Sequence, residues 1–294
     1  MIEVVGVGGS VLVEDLGRPG LSHLGVSPSG AADRGALMAA NRAVGNPAGA
    51  AALEIVGGAE VRVHADLALA VTGALAEVRV DGIPIDEALL PVLAAPAGSV
   101  VTLAAPRWGL RSYLAVAGGL ELPQVLGSRS TDVLSGLGPE PLRAGDRIAV
   151  LPASGGLPTR DPQRRRPPSG RLVMLDATAG PRGDWLVDPA TLYDRPWRVS
   201  ELADRVGTRL EGEPLVRAVT AELPSEGVVA GSVQVPPNGQ PVILGPDHPV
   251  TGGYPVVAVL TAAACDVLAQ LRPGTTVRFR HAHTGGLTAR AASL

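Results

Sequence analysis

The residues in this chain that could do chemistry are carboxylates, guanidiniums and hydroxyls set in loops. Asp15, Arg18, His23, Ser27 and Asp33 fall within one stretch, VLVEDLGRPGLSHLGVSPSGAADRGALMAANRAVGNP, from Val11 to Pro47. Loops of that size in compact domains usually serve function. A second polar run, Gly127-Ser128-Arg129-Ser130-Thr131-Asp132, offers backbone N–H groups, hydroxyls and a guanidinium. Such a set can hold a carboxylate or phosphate; it can equally be a Ser/Thr turn tied down by Asp132. A third run, Ala203 to Leu210, carries Asp204, Arg205 and Arg209, and Gln234 and Tyr254 add an amide and a phenol further on. This inventory suits polarising a carbonyl, stabilising an oxyanion and orienting a small polar substrate. That is the chemistry of carboxyl transfer or of activated amides, neither of which needs a covalent enzyme nucleophile. Asp15 and Asp204 are the candidate catalytic carboxylates. Arg18, Arg129, Arg205 and Arg209 are candidate anion clamps, and Ser27, Ser128, Gln234 and Tyr254 are candidate substrate-binding groups. Each could instead serve structure; Asp15 could pair with Arg18 and cap backbone groups.

Other chemistries are excluded or disfavoured. There is no GxxxxGK[ST] phosphate loop, HExxH, paired CxxC or GxSxG elbow, so a P-loop ATPase is excluded, a zinc hydrolase is disfavoured and no metal site is expected. Cys265, the single cysteine, sits in the apolar pattern TAAACDVLAQL and reads as a small core residue. A net charge of −3 gives no general attraction to nucleic acid or to an anionic membrane. The basic run Arg164-Arg165-Arg166 lies among prolines and reads as a solvated linker. Ile2-Glu3 after Met1 is not a basic signal-peptide start. No apolar run approaches the ~20 residues needed to cross a bilayer. These features point to a soluble cytoplasmic protein.

The elements that must position these loops are read from pattern. A length of 294 residues suggests two domains. Aromatics are 2% of the chain, so the core must come from Val, Leu, Ile and Ala; with 38 Gly and 27 Pro, many short elements and a mainly β fold are expected. Val11 and Val13, alternating with Leu12 and Glu14, open a strand. A helix is expected from about Asp33, its cap, to Val44, with Leu37, Ala40, Asn41 and Val44 on the buried stripe and Gly45 and Pro47 ending it. Glu60 to His64 alternates as a half-buried strand, with His64 exposed, and Leu67 to Thr72 reads as buried on both faces. Asp81-Gly82 marks a hairpin, Ala97-Gly98 the turn of a strand pair between Pro91 and Leu103, and Asn238-Gly239 another hairpin. Asp188 to Tyr193 and Thr261 to Leu271 read as helices, and Thr276 to Arg280 as a closing strand. Pro152 to Gly170 reads as a linker, with domains at 1–151 and 171–294.

The run EDLGRPGLSHLGVSPSGAADR resembles the opening of the biotin-dependent carboxyltransferase-like family, also called allophanate hydrolase subunit 2, which includes the C-type subunit of prokaryotic 5-oxoprolinase. GLRSYLAVAGGL, VLGSRSTD and LRAGDRI continue the resemblance through the first half. SEGVVAGSVQVPPNGQPVIL, TGGYPVVAVL and LAQLRPGTTVRF carry it through the second. The resemblance implies two cyclophilin-like β-barrel domains with a few short helices. It implies one half of a carboxyltransferase-like unit, partnered by a companion subunit of the allophanate hydrolase subunit 1 kind, equivalent to the B-type subunit of 5-oxoprolinase, together with an A-type subunit. The implied reaction is ATP-dependent hydrolysis of 5-oxoproline to glutamate, with ATP handled by the complex. Alternatives are the carboxyltransferase half of a biotin-dependent urea carboxylase-like system, or a regulatory protein that binds a kinase-inhibitor homologue of the companion subunit. The resemblance also favours a ligand-binding reading of Ser128 to Asp132. The chain departs from the family pattern at Val206 and Thr208, where relatives have Met and Tyr, and at His248, where they have Arg. Loss of the Tyr removes an aromatic wall and leaves another lactam or urea-like amide open as substrate. His248 could act as an acid or base near pH 7.

Overall fold

A computed structural model describes residues 1–85, 92–153 and 172–282. The chain is mainly β, as expected, and is built around two apolar cores. In the first half, β1 (Ile2–Val7), β4 (Ala59–Val63), β6 (Val78–Val80), β7 (Ile83–Pro84), β9 (Val100–Leu103), β11 (Leu120–Glu121) and β12 (Arg147–Val150) form one sheet, in the order β11-β12-β1-β4-β9-β6-β7. A second sheet contains β2 (Ser10–Glu14), β3 (Ala52–Val56), β5 (Leu67–Leu75), β8 (Leu93–Ala95) and β10 (Trp108–Val116), in the order β2-β3-β10-β5-β8. Ile2, Val61 and Val101 from the first sheet share a core with Val13, Leu53 and Leu114 from the second.

Helix α1 (Arg34–Ala43) covers the other face of the second sheet, packing Leu37, Ala40 and Ala43 on Ala52, Ala70, Tyr113 and Ala115. Small side chains on both surfaces let the helix lie close. The middle of the sheet is therefore buried on both faces, and β2 at its edge is buried from Val11 through Glu14, with Glu14 covered by Arg205 of the second half. The helix starts where expected: the Asp33 carboxylate accepts from Ala36 N at 2.8 Å. Asn41, on the buried stripe, donates to Ala48 O and Ala50 O and so holds the loop that follows the helix.

The second half closes into a seven-stranded barrel. Its strands are β13 (Leu172–Ala179), β14 (Trp197–Val199), β15 (Gly207–Glu211), β17 (Ser232–Gln234), β18 (Val242–Leu244), β20 (Val256–Leu260) and β21 (Thr276–His281), in the order β13-β20-β17-β18-β15-β14-β21. Parallel pairing of β13 with β21, from Leu172↔Thr276 to Ala177↔His281, closes it. A small ribbon of β16 (Glu226–Gly227) and β19 (Thr251–Gly252) lies outside it. Trp197 is almost fully buried in the barrel core and donates its indole N–H to Leu192 O on the short helix α2 (Thr191–Asp194). Helix α3 (Ala262–Leu268) is capped by Thr261 and adds Ala264 and Leu268 to the same core.

Several turns match expectation. Asp81 and Gly82 both have positive φ, 49° and 79°, and join β6 to β7 in a tight hairpin. His64 is exposed and meets Glu3 at 2.9 Å. Two expectations need correction. The strands either side of Ala97-Gly98 exist but do not pair: β8 joins β5, whereas β9 joins β4 and β6, so this turn carries the chain from one sheet to the other. The hairpin at Asn238-Gly239 is a longer one, since β17 and β18 pair across a connection running from Val235 to Pro241. The expected linker and its arginine run fall mostly at 154–171, outside the described residues.

Gly17 and Gly20 bracket the break after β2 and provide a matched test. Both have positive φ, 80° and 88°, so an alanine at either is strained, by about 1–2 kcal/mol. A Cβ at Gly17 would lie 2.2 Å from Pro28 O, whereas one at Gly20 would meet nothing within 4 Å. Gly17→Ala should therefore lower the urea midpoint markedly more than Gly20→Ala; equal losses would show that the contact between the two loop segments is not tight.

Candidate functional site

Arg205 sits in the turn before β15, and its side chain reaches into the first half of the chain. Its Nε donates to Asp247 Oδ2 at 2.8 Å and its Nη1 to Glu54 Oε1 at 2.6 Å. Its Nη2 reaches Gly30 O at 2.7 Å, Asp247 Oδ1 at 3.1 Å and Glu14 Oε1 at 3.2 Å. All three carboxylates are buried. Burial works against the Arg205 charge, but Glu54, Glu14 and Asp247 outweigh it and hold the guanidinium above its ordinary pKa. Burial also acts on Glu54, but Arg205 and Arg111 overcome it and keep that carboxyl below its ordinary value. Glu14 goes the other way: burial, reinforced by Glu54 and Asp247, pushes it well above the carboxylate range despite Arg205. Arg205 and Arg111 thus stand among three buried carboxylates, Glu14, Glu54 and Asp247.

The cluster extends through hydrogen bonds. Glu54 Oε2 accepts from Tyr113 Oη at 2.6 Å and from Ala32 N at 3.0 Å. Asp247 accepts from Ser29 Oγ at 2.7 Å and from Val133 N at 3.1 Å. Gln270, just beyond α3, adds another tie: its Oε1 accepts from Leu110 N and Arg111 N, and its Nε2 donates to Asp33 Oδ2 and Arg111 O. Sequence reasoning missed Glu14, Glu54, Asp247 and Gln270 as site residues. A signal existed for two of them, since a carboxylate in the apolar runs VLVE and ALEIV must find a buried partner.

Asp15 and Arg18 do not pair with each other; both hold the loop at Val125 to Ser130. Asp15 Oδ1 accepts from Ser128 Oγ at 2.6 Å, Ser130 Oγ at 2.7 Å and Gly17 N at 2.7 Å, and its Oδ2 accepts from Arg129 N at 2.7 Å. Buried Arg18 donates to Val125 O at 3.3 Å and Ser130 O at 2.5 Å. Arg129 Nε turns to Leu122 O. Ser27 Oγ donates to Pro246 O, which ties this segment to the second half. Thus Asp15, Arg18, Ser128 and Arg129 are brought together, with Ser27 and Arg205 bordering them. Asp204 is exposed, and its Oδ1 accepts from Val206 N and Gly207 N. Arg209 is exposed on β15. Gln234 is buried and donates to Tyr254 O, while the Tyr254 ring is exposed; these two form a separate pair. His248 is buried and its Nδ1 donates to Pro249 O at 2.7 Å. Burial lowers its pKa.

A cavity of about 400 Å³ opens between the two halves. Its floor is the Pro28 to Ala32 loop, Arg34, Met38 and Arg111; its far wall is Asp204, Thr208, Leu244 to Pro246 and α3 with Cys265 and Asp266. The lining is mainly apolar. Arg111 is committed, with Nη1 donating to Ala269 O and Nε 3.3 Å from Glu54. Burial pushes the Cys265 thiol up to about 11, so it is not a nucleophile at neutral pH. Size and lining are those of a small-molecule site.

Two measurements test the cluster. Arg205→Ala leaves buried carboxylates unpaired and should cost about 3–5 kcal/mol. Arg280→Ala, at the exposed and solvent-screened pair with Asp176, should cost far less. Similar losses would show the cluster to be solvated. The second concerns pH. Burial raises Asp33 from 3.8 to about 6, so between those values the folded state holds the extra proton. The contribution of this group is fully present below pH 3.8 and is lost as pH rises through about 6. Asp33→Asn, whatever its absolute stability, should flatten the decline in stability across that window; an unchanged slope would remove Asp33 as its source.

The family described as "Carboxyltransferase domain, subdomain A and B" matches residues 24–281. The chain is 38% identical over 289 residues to the C-type subunit of 5-oxoprolinase from Escherichia coli (strain K12), covering 95% of this chain and 90% of that one. It is 34% identical over 291 residues to the corresponding 5-oxoprolinase chain of Haemophilus influenzae, again covering 95% and 90%. Among solved structures, K. lactis urea amidolyase superposes with a TM-score of 0.90 at 27% identity, over 95% of this chain but 18% of that much longer one. The chain belongs to the carboxyltransferase-domain family of subdomains A and B.

Proposed function

We propose that this chain is a subunit of a complex that hydrolyses 5-oxoproline to glutamate at the expense of ATP. The observation that carries the reading is the near end-to-end similarity to the C-type subunit of 5-oxoprolinase at 38% identity. Companion subunits of the B and A types belong to the same reading, as does a cytoplasmic location. So do domain bounds of 1–151 and 171–294, which the two separate apolar cores support. Among the described residues, no helix is long and apolar enough to cross a membrane.

The residues here do not fit a nucleoside triphosphate. The chain has no GxxxxGK[ST] loop, and the wall of the cavity is apolar with few uncommitted charges. ATP chemistry is assigned to another subunit. Nor can this chain carry biotin through an amide to lysine, because it contains no lysine. Its own contribution is to position. Asp15 and Arg18 fix the Ser128–Ser130 loop, and the Arg205 cluster fixes the two halves around the cavity, where a small polar substrate is shielded from water. Asp204 is the carboxylate at that cavity placed to accept a proton or a hydrogen bond. A second reading, the carboxyltransferase half of a urea carboxylase-like system, is favoured by the TM-score of 0.90 to urea amidolyase.

The test is glutamate formation and phosphate release from ATP and 5-oxoproline by the reconstituted complex, with each subunit omitted in turn. Turnover should require this chain, and Asp15→Ala should lose most of it, at least about 100-fold, while the complex still assembles. A stable complex with no turnover of 5-oxoproline would contradict the assignment; turnover of urea with a biotin carrier would then support the second reading.

A further inference from the structure

The charged groups that line the cavity between the halves are not equally occupied. Arg111 is bound to Ala269 O and Glu54, and Asp266 accepts from Arg34 N at 3.0 Å. Arg34 lies in the first turn of α1 with its side chain exposed, and its guanidinium has no carboxylate or carbonyl partner among the described residues. Asp204 uses one oxygen, Oδ1, to accept from Val206 N and Gly207 N; its Oδ2 has no donor among the described residues. Among the described residues, Arg34 and Asp204 Oδ2 are thus an uncommitted cation and an uncommitted carboxylate oxygen at the cavity, set in a wall of Ala31, Met38, Leu244 and Leu260. A guanidinium selects a carboxylate by paired charge-assisted hydrogen bonds. A free carboxylate oxygen selects an N–H. An apolar wall selects a compact hydrocarbon body.

We propose that this cavity binds a small acid that carries both a carboxylate and an amide N–H, with Arg34 holding the carboxylate and Asp204 accepting from the N–H. 5-Oxoproline has that pattern of groups, and its identity as the ligand rests on the oxoprolinase reading. The site itself follows from the two uncommitted groups. Arg34 is a binding and specificity residue: it separates the acid from its neutral amide.

The experiment measures binding to the full chain by saturation-transfer NMR and calorimetry, using 5-oxoproline and its uncharged carboxamide as probes. The same variants are then followed kinetically in the reconstituted complex. The wild-type chain should prefer the acid. Arg34→Gln, which breaks no polar side-chain contact among the described residues, should weaken the acid by at least about 10-fold and leave the carboxamide unchanged. In the complex it should raise KM for 5-oxoproline with little change in kcat. Thr208→Trp, which fills the cavity, should abolish binding of both probes. Binding of the acid that is indifferent to Arg34→Gln, or that survives Thr208→Trp, would overturn the proposal even if the complex turns over 5-oxoproline. Conversely, Arg34-dependent binding in a complex that does not turn over 5-oxoproline would uphold the site and sink the reaction assignment.

Discussion

Arg205 carries a guanidinium from the second half of the chain into a nest formed by Glu14 and Glu54 of the first half, with Asp247 of its own half alongside. Taking these groups out of water is costly, by several kcal/mol per ion, and only close geometry and further hydrogen bonds offset it. Glu54 and Asp247 meet both conditions, whereas Glu14 has close geometry alone. Each Arg205 nitrogen has a carboxylate within 3.2 Å, and Glu54 and Asp247 have further donors in Tyr113, Ala32, Ser29 and Val133. Because these donors belong to β10, to the loop after β2 and to the loop after β11, one guanidinium sets the relation of several segments. A buried network of this kind tolerates one arrangement and penalises others, since any shift strands a buried charge.

The site follows from that constraint. One wall of the cavity belongs to α1 and the loop before it, and the other to β15, β18 and α3. Its shape depends on the two halves keeping their separation. Gln270 and Arg272 reinforce the same contact, donating to Arg111 O and Gly109 O of the first half. Asp15 works at a smaller scale: four short hydrogen bonds make its carboxylate the organiser of the Ser128–Ser130 loop. A carboxylate so fully engaged holds the surrounding donors still.

The sequence was legible where structure is local. The α1 cap at Asp33, the Thr261 cap and the Asp81-Gly82 hairpin depend on neighbours along the chain, and each was readable from residue type. What pairs with what was not. The strands around Ala97-Gly98 were visible, but their assignment to different sheets depends on partners far away in sequence. The organising role of the Val11 to Pro47 segment was also legible, but its tie to the Gly127–Asp132 run through Asp15 was not. Arg205 stood out as a candidate, but not as a buried hub, because its partners Glu14 and Glu54 lie in the other half of the chain and Asp247 lies several strands further on. Gln270 had no signal at all: a glutamine after a helix is ordinary until its four bonds across the interface are seen.

Differential scanning calorimetry of the whole chain shows whether the Arg205 cluster joins the two cores. If the Arg205 cluster makes the two cores one cooperative unit, wild-type unfolding is a single transition whose calorimetric and van 't Hoff enthalpies agree. Arg205→Met should then separate it into two. Two independent transitions already present in the wild-type chain would contradict the account, because the halves would then fold without the contact that is held to define the site.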